Sequence, residues 1–146
     1  MYKKQEKSFS SINNLEKMIQ TSVEPASQRQ IPVQLLDVVR YIEKNTDKKI
    51  TIDELSALTC WKREHFSRVF KSFYNQTIYQ YILYVKIENI KKEILNKDID
   101  FASLYKKYGF ESYSNFYNAF KKQTMYSPNK YRFYFKKYIS EEELTR

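Results

Sequence analysis

The feature that most constrains this chain is an internal repeat. Displaced by fifty residues, Phe66 falls on Phe116, Phe70 on Phe120, Lys71 on Lys121, Thr77 on Ser127 and Tyr81 on Tyr131. Just upstream the displacement is forty-nine: Thr51 falls on Asp100, Ile52 on Phe101, Leu55 on Leu104 and Cys60 on Gly109. Apolar positions and capping positions match as sets, with one residue inserted, so the chain carries two copies of one unit.

Between the copies lies Thr77–Asn96, TIYQYILYVKIENIKKEILN, which reads as one long helix. Thr77 is its N-cap, no Gly or Pro interrupts it, and Lys91, Lys92 and Lys97 suit its negative C-terminal end. Ile78, Tyr81, Ile82 and Val85 share a face at the first end; Leu83, Ile87, Ile90 and Ile94 share a nearly opposite face toward the second. A helix on one core keeps one stripe. A stripe that changes sides marks a strut between two small cores, and Lys86, Glu88, Asn89, Lys91, Lys92 and Glu93 argue against a fully buried helix.

The 146 residues suffice for one domain, or for two very small ones sharing a helix. One Gly and three Pro predict an all-helical chain with short turns. The formal charge of +9 and pI near 9.4 suit a polyanionic partner. An AT-rich genome would also enrich Lys, Asn, Ile and Tyr, so charge alone decides little. A single Cys excludes an internal disulfide and fits a reducing cytoplasm. No apolar run approaches the roughly 18 residues of a membrane span, and the N-terminus lacks a signal-peptide core.

Residues 1–30 are polar, with Ile12, Leu15, Met18 and Ile19 as one amphipathic segment and TSVEPASQRQ as a linker; the arm reads as a tail. A helix follows over 33–46, with Leu35, Val38, Val39 and Ile42 on one side. Thr51-Ile52-Asp53-Glu54 is a capping box opening a helix to about Leu58. After the break Thr59-Cys60-Trp61, a second helix runs from about Lys62 to Phe73. Phe66, Val69, Phe70 and Phe73 face inward, and Glu64, Ser67, Arg68 and Lys71 outward. This is a helix-turn-helix, whose second helix can enter a DNA major groove. Arg68 can pair with guanine edges and Glu64 can accept from cytosine, while Lys62, Arg63 and Lys71 can hold phosphates.

In the second copy Asp100 caps a helix to about Lys107, and Tyr108-Gly109-Phe110 makes the turn. Ser112 caps the next helix, with Phe116, Ala119 and Phe120 inward and Ser114, Tyr117, Asn118 and Lys121 outward. Ser127-Pro128 opens a last short helix. The boundaries are therefore an N-terminal arm over 1–30, a first helix-turn-helix over 31–76, a linker helix over 77–96, a second helix-turn-helix over 97–135, and a solvated tail over 136–146.

The segments ITIDEL, HFSRVFK, YGFES and FKKQTMYSPNKYR, with the linker helix, cover about residues 33–135. In this combination the chain resembles the DNA-binding domain of AraC/XylS-type bacterial transcription regulators. The resemblance implies an all-α fold of two homeodomain-like helix-turn-helix repeats that read adjacent major grooves on one face of promoter DNA. It implies base reading by Glu64, His65, Ser67 and Arg68 in the first unit, and by Tyr113, Ser114, Asn115 and Asn118 in the second.

The chain departs from the family pattern at four places. Cys60 stands where the family usually has Gly, Lys62 where it has a capping Ser, and Ser56 and Tyr105 where it has Ala. Tyr105 is large for a tight helix pair, which points to a splayed or repacked second unit. The outward face of the second reading helix carries no Arg. It is expected to act through phosphate contacts from Lys121, Lys122 and Tyr117 more than through base reading.

His65 is the only His, so no Ser–His pair can be built away from it; it either covers part of the core or meets a base. Cys60 has no partner cysteines for a metal, and no glycine-rich phosphate loop is present. Neither an enzyme nor a cofactor or metal is expected. Two functions remain: a sequence-specific promoter-binding regulator, an activator by family analogy, or a module that binds RNA polymerase or another regulator. A monomer without membrane contact is expected. The N-terminal arm is too short for a family-type ligand-binding domain, so the protein works alone or this chain is a piece of a longer one.

Overall fold

The computed structural model describes residues 29–95 and 99–144, with side chains described through residue 136. The expected amphipathic segment at Ile12–Ile19, most of the linker after it, and the strut's end at Asn96 and Lys97 lie outside the described residues. The described residues form α1 (Val33–Lys44), α2 (Ile52–Thr59), α3 (Arg63–Tyr74), α4 (Ile78–Leu95), α5 (Phe101–Lys107), α6 (Tyr113–Thr124) and α7 (Pro128–Leu144). Those from Val33 onward belong to one compact unit.

Each boundary follows from a local signal. Thr51 and Glu54 form the expected capping box: Thr51 Oγ1 accepts from the Glu54 N–H, and Glu54 Oε2 accepts from the Thr51 N–H. The α4 start repeats the device with Thr77 and Gln80. Asp100 accepts from the N–H groups of Ala102 and Ser103, and Ser112 from that of Asn115. Helices α2, α3 and α6 end on the left-handed residues Cys60 (φ 58°), Asn75 (φ 53°) and Met125 (φ 67°).

Two cores flank α4. Leu35, Val38, Ile42, Leu55, Phe66 and Phe70 pack with Ile78, Ile82 and Val85 from its first half. Leu104, Tyr108, Phe116, Phe120 and Tyr131 pack with Ile87, Ile90 and Ile94 from its second. The side-switching stripe is thus what lets one helix close two cores. The repeat extends to ring geometry. Phe66 and Phe70 lie 6.1 Å apart and Phe116 and Phe120 5.8 Å; Phe70 meets Tyr81 edge-on at 5.4 Å and Phe120 meets Tyr131 edge-on at 5.3 Å.

Three expectations need correction. Lys86, expected on a solvated strut face, is 5% exposed, with its ammonium on the carbonyls of Lys48 and Tyr108. It sits where the stripe crosses over, between Val85 and Ile87, with the Phe110 ring 5.8 Å from its ammonium. Leu83, expected on the second core's face, is absent from both buried clusters and lines a cleft with Tyr79, Ile82 and Ala119. The last helix is not short and runs on past residue 136 into the stretch expected as a tail. It continues to Leu144, because nothing after Pro128 is a Gly or Pro that would stop it.

Candidate nucleic-acid interface

The outward stripe of α3 is set by the inward one. With Phe66 and Phe70 fully buried, Arg63, Glu64, Arg68 and Lys71 are exposed and Ser67 is half-buried at the rim. Lys62, at the N-cap, is exposed and makes no side-chain capping bond. The N–H groups of the first turn therefore have no side-chain acceptor at the cap. They add positive partial charge to Arg63, Arg68 and Lys71. Arg63 lies 3.6 Å from Asp53, both largely exposed, a contact weak enough to exchange for a phosphate. His65 stands edge-on to Trp61 with ring centroids 5.1 Å apart, so its ring flanks the turn and is still exposed.

On α6, Phe116 and Phe120 are fully buried. Tyr113, Ser114, Asn115, Asn118, Lys121 and Lys122 are exposed, and Tyr117 is half-buried. Ser114, Tyr117, Asn118 and Lys121 share one stripe by helical spacing. The Lys121 ammonium lies over the Tyr117 ring at 5.9 Å, and the Tyr113 ring touches those of Tyr105, Phe116 and Tyr117. Asn115 lines the cleft between the units with Lys49, Ile50 and Ala119, to one side of that stripe. Tyr105 is half-buried with its ring against Tyr113, so the second unit accommodates the large residue at its edge.

The capping carboxylates are electrostatically settled. The Thr51 backbone N–H holds the Glu54 carboxyl below its ordinary range, and the Ala102 N–H does the same for Asp100. Burial pushes the Lys86 ammonium down. Two cations that the charge count would assign to the surface are thus engaged inward. Besides Lys86, the Arg132 guanidinium donates to the carbonyls of Ile94 and Ile99 and lies 4.1 Å over the Phe101 ring.

Sequence reasoning missed Lys86. Its position between Val85 and Ile87, at the crossover of the two stripes, was the available signal. Among the described residues no group of three or more His, Cys, Asp or Glu side chains could hold a metal ion, and no helix is long and apolar enough to cross a membrane.

This arrangement has close counterparts. A helix-turn-helix domain family model matches residues 55–133. "Probable transcriptional regulator LumQ" of Photobacterium leiognathi is 28% identical over 123 residues, covering 84% of this chain and 50% of that protein. The chain spans about half the length of the first curated relatives it matches. Among solved structures, the C-terminal domain of AraT, a response regulator from Geobacillus stearothermophilus, superposes with a TM-score of 0.66 at 19% identity, covering 71% of this chain and 87% of that one. The DNA-binding domain of the global transcriptional factor AdpA, solved in complex with a target DNA, superposes with a TM-score of 0.62 at 22% identity. It covers 68% of this chain and 89% of its own. These likenesses share the fold: all helix, with paired helix-turn-helix units.

Proposed function

The chain belongs to the AraC-type helix-turn-helix family of transcription regulators, and from that premise we propose that it binds promoter DNA sequence-specifically and activates transcription. Helix α3 enters one major groove and α6 the next on the same side of the duplex. Arg68 pairs with a guanine edge and Glu64 accepts from a cytosine amino group. His65 and Ser67 supply the remaining base contacts of the first unit, and Tyr113, Ser114, Asn115 and Asn118 those of the second. Lys62, Arg63, Lys71, Tyr117, Lys121 and Lys122 hold phosphates. The chain acts as a monomer in the cytoplasm.

The observation that carries this reading is the matched pair of exposed helix faces, each fixed by its own core, at the two ends of one 18-residue helix. That helix spans about 27 Å. Adjacent major-groove faces lie about 34 Å apart, and side-chain reach covers the difference.

One observation favours a second reading, a module that docks on RNA polymerase or another regulator. Met125 and Phe133 are 79% and 73% exposed, an apolar outlay that DNA contact does not need. A mobility-shift assay with genomic fragments at two salt concentrations separates the two. The DNA reading predicts discrete shifted fragments whose affinity falls with salt, at a log–log slope of about −5 for the five cations named. Uniform weak retention of every fragment would leave the docking module as the better account.

A further inference from the structure

Each unit packs on its own half of α4, which makes the strut the first connection between them. The structure contains a second connection. Lys86, midway along α4 and 5% exposed, donates from Nζ to the Lys48 carbonyl at 2.9 Å and to the Tyr108 carbonyl at 2.6 Å. Lys48 lies in the loop between α1 and α2, in the first unit. Tyr108 lies in the turn between α5 and α6, in the second. One ammonium therefore holds a backbone carbonyl of each.

The surroundings bring the same two segments together. A Cβ added to Gly109, at φ +70°, would lie 3.1 Å from the Lys48 carbonyl carbon and the Lys49 nitrogen, so the second unit's turn rests directly on the first unit's loop. Asn89 Nδ2 donates to Thr46 Oγ1 at 3.1 Å, and Lys49 lies 3.6 Å from Glu111. The Tyr108 hydroxyl donates to Glu93 at 2.7 Å, which holds the turn to α4 as well. Helix α6 begins at Tyr113, four residues after Gly109, so its orientation is referred to the first unit's backbone through this joint.

We infer that Lys86 is the positioning residue that locks the two reading helices in register, so that the chain accepts one spacing between the two halves of its DNA site. This rests on the DNA-binding reading above for its consequence, while the joint itself is a property of the free protein. An ammonium suits the role. It offers several donors from one point, whereas a residue without donors leaves two covered carbonyls unsatisfied and lets the loop and turn separate to reach water.

The test uses the full chain with Cys60→Gly, which suits the left-handed backbone there, and spin labels on Ser72→Cys in α3 and Asn129→Cys in α7. Pulsed electron resonance reads the distance distribution between the units. Lys86→Met should broaden it by roughly twofold or more, as a released hinge does, while Lys92→Met on the exposed face of the same helix leaves it unchanged. If Lys86→Met unfolds the chain, Lys86→Gln, with fewer donors, is read the same way.

In parallel, the unlabelled chain selects a site from random duplex DNA. Preference for the selected spacing over one altered by two base pairs should fall about tenfold in Lys86→Met, with half-site affinity retained. A narrow, unshifted distribution in both Lys86 variants overturns the inference. So does undiminished spacing preference in Lys86→Met. Failure of the wild type to select any sequence overturns the DNA-binding reading instead, and the label distances still decide the joint.

Discussion

The two helix-turn-helix units are the same object inside and different objects outside. Their buried phenylalanines, edge-on tyrosines and capped first helices correspond position by position in the sequence, with matching ring distances. Their outward helices do not. Helix α3 presents Arg63, Glu64, Arg68 and Lys71 and starts at Lys62 without a side-chain cap; α6 presents Tyr113, Ser114, Tyr117, Asn118 and Lys121 and starts on a Ser112 that caps it. Attachment to the strut differs too. The first unit joins it through the rings of Phe70, Tyr74 and Tyr81, with Asn89 bonded to Thr46 and Lys86 to the Lys48 carbonyl. The second adds polar fasteners of its own: Gln123 to Glu88 and the Tyr84 carbonyl, and Lys107 and Tyr108 to Glu93. Packing constrains the inside of a repeat and leaves its outer stripe free to change, so the units can share a fold and divide the work of recognition.

The contrast can be broken most sharply at Arg68. Arg68→Ala should cost about 1–3 kcal/mol at a selected site and much less on random DNA, whereas Asn118→Ala at the matching place in α6 costs less on the selected site. Titrations of both variants against both DNAs decide it. Equal losses for Arg68→Ala on the two DNAs would make it a phosphate contact.

The turns offer a pair of opposite signs. Gly109→Ala forces a Cβ into the left-handed region against backbone 3.1 Å away, and should destabilise by about 2 kcal/mol or more. Cys60→Gly at the matching turn relieves about 1–2 kcal/mol of left-handed strain, partly offset by about 0.5–1 kcal/mol of glycine entropy. Its exposed side chain takes no packing with it, so a small net gain follows. Urea unfolding of the two variants checks both signs.

At the start of the reading helices, Lys62→Ser should give α3 the cap that Ser112 gives α6, worth about 1 kcal/mol in thermal unfolding. DNA affinity should fall if Lys62 holds a phosphate. The gain in stability with a loss in binding would separate what the first unit needs to fold from what it uses at the interface.

The smallest effect concerns the two first helices, where a carboxylate sits at the cap in one and three residues in at the other. Both are held below their ordinary range by backbone N–H groups. The stability they contribute is complete above that range and is lost as pH falls through their lowered folded values. Asp100→Asn should therefore lose less melting temperature than wild type between neutral pH and pH 3.

Much of this was legible in the sequence because it is written locally. Caps at Thr51, Asp100 and Ser112, the Tyr108-Gly109-Phe110 turn and the phenylalanines of both reading helices obey short-range rules. The displaced repeat pairs Thr51 with Asp100, Cys60 with Gly109 and the phenylalanines with each other, while Ser112 falls on the uncapped Lys62. The strut's change of face was visible in Ile82 and Ile87 for the same reason. Lys86 was not, because its role depends on two carbonyls 38 residues before it and 22 after it. Composition votes a lysine outward, and tertiary structure overruled that. The extension of α7 past residue 136 was missed because a run of aromatics, lysines and glutamates fits a solvated tail as well as a frayed-free helix. The outward stripes of α3 and α6 were legible as faces, but which base each residue meets depends on the DNA they dock on.

The measurement that bears most directly on the division of labour is a binding scan in which every base pair of a selected site is substituted in turn. The two outward helices predict steep penalties, about 1–3 kcal/mol per position, under the first unit and shallower ones under the second. Equal penalties in the two half-sites, or larger ones under α6, would contradict the account.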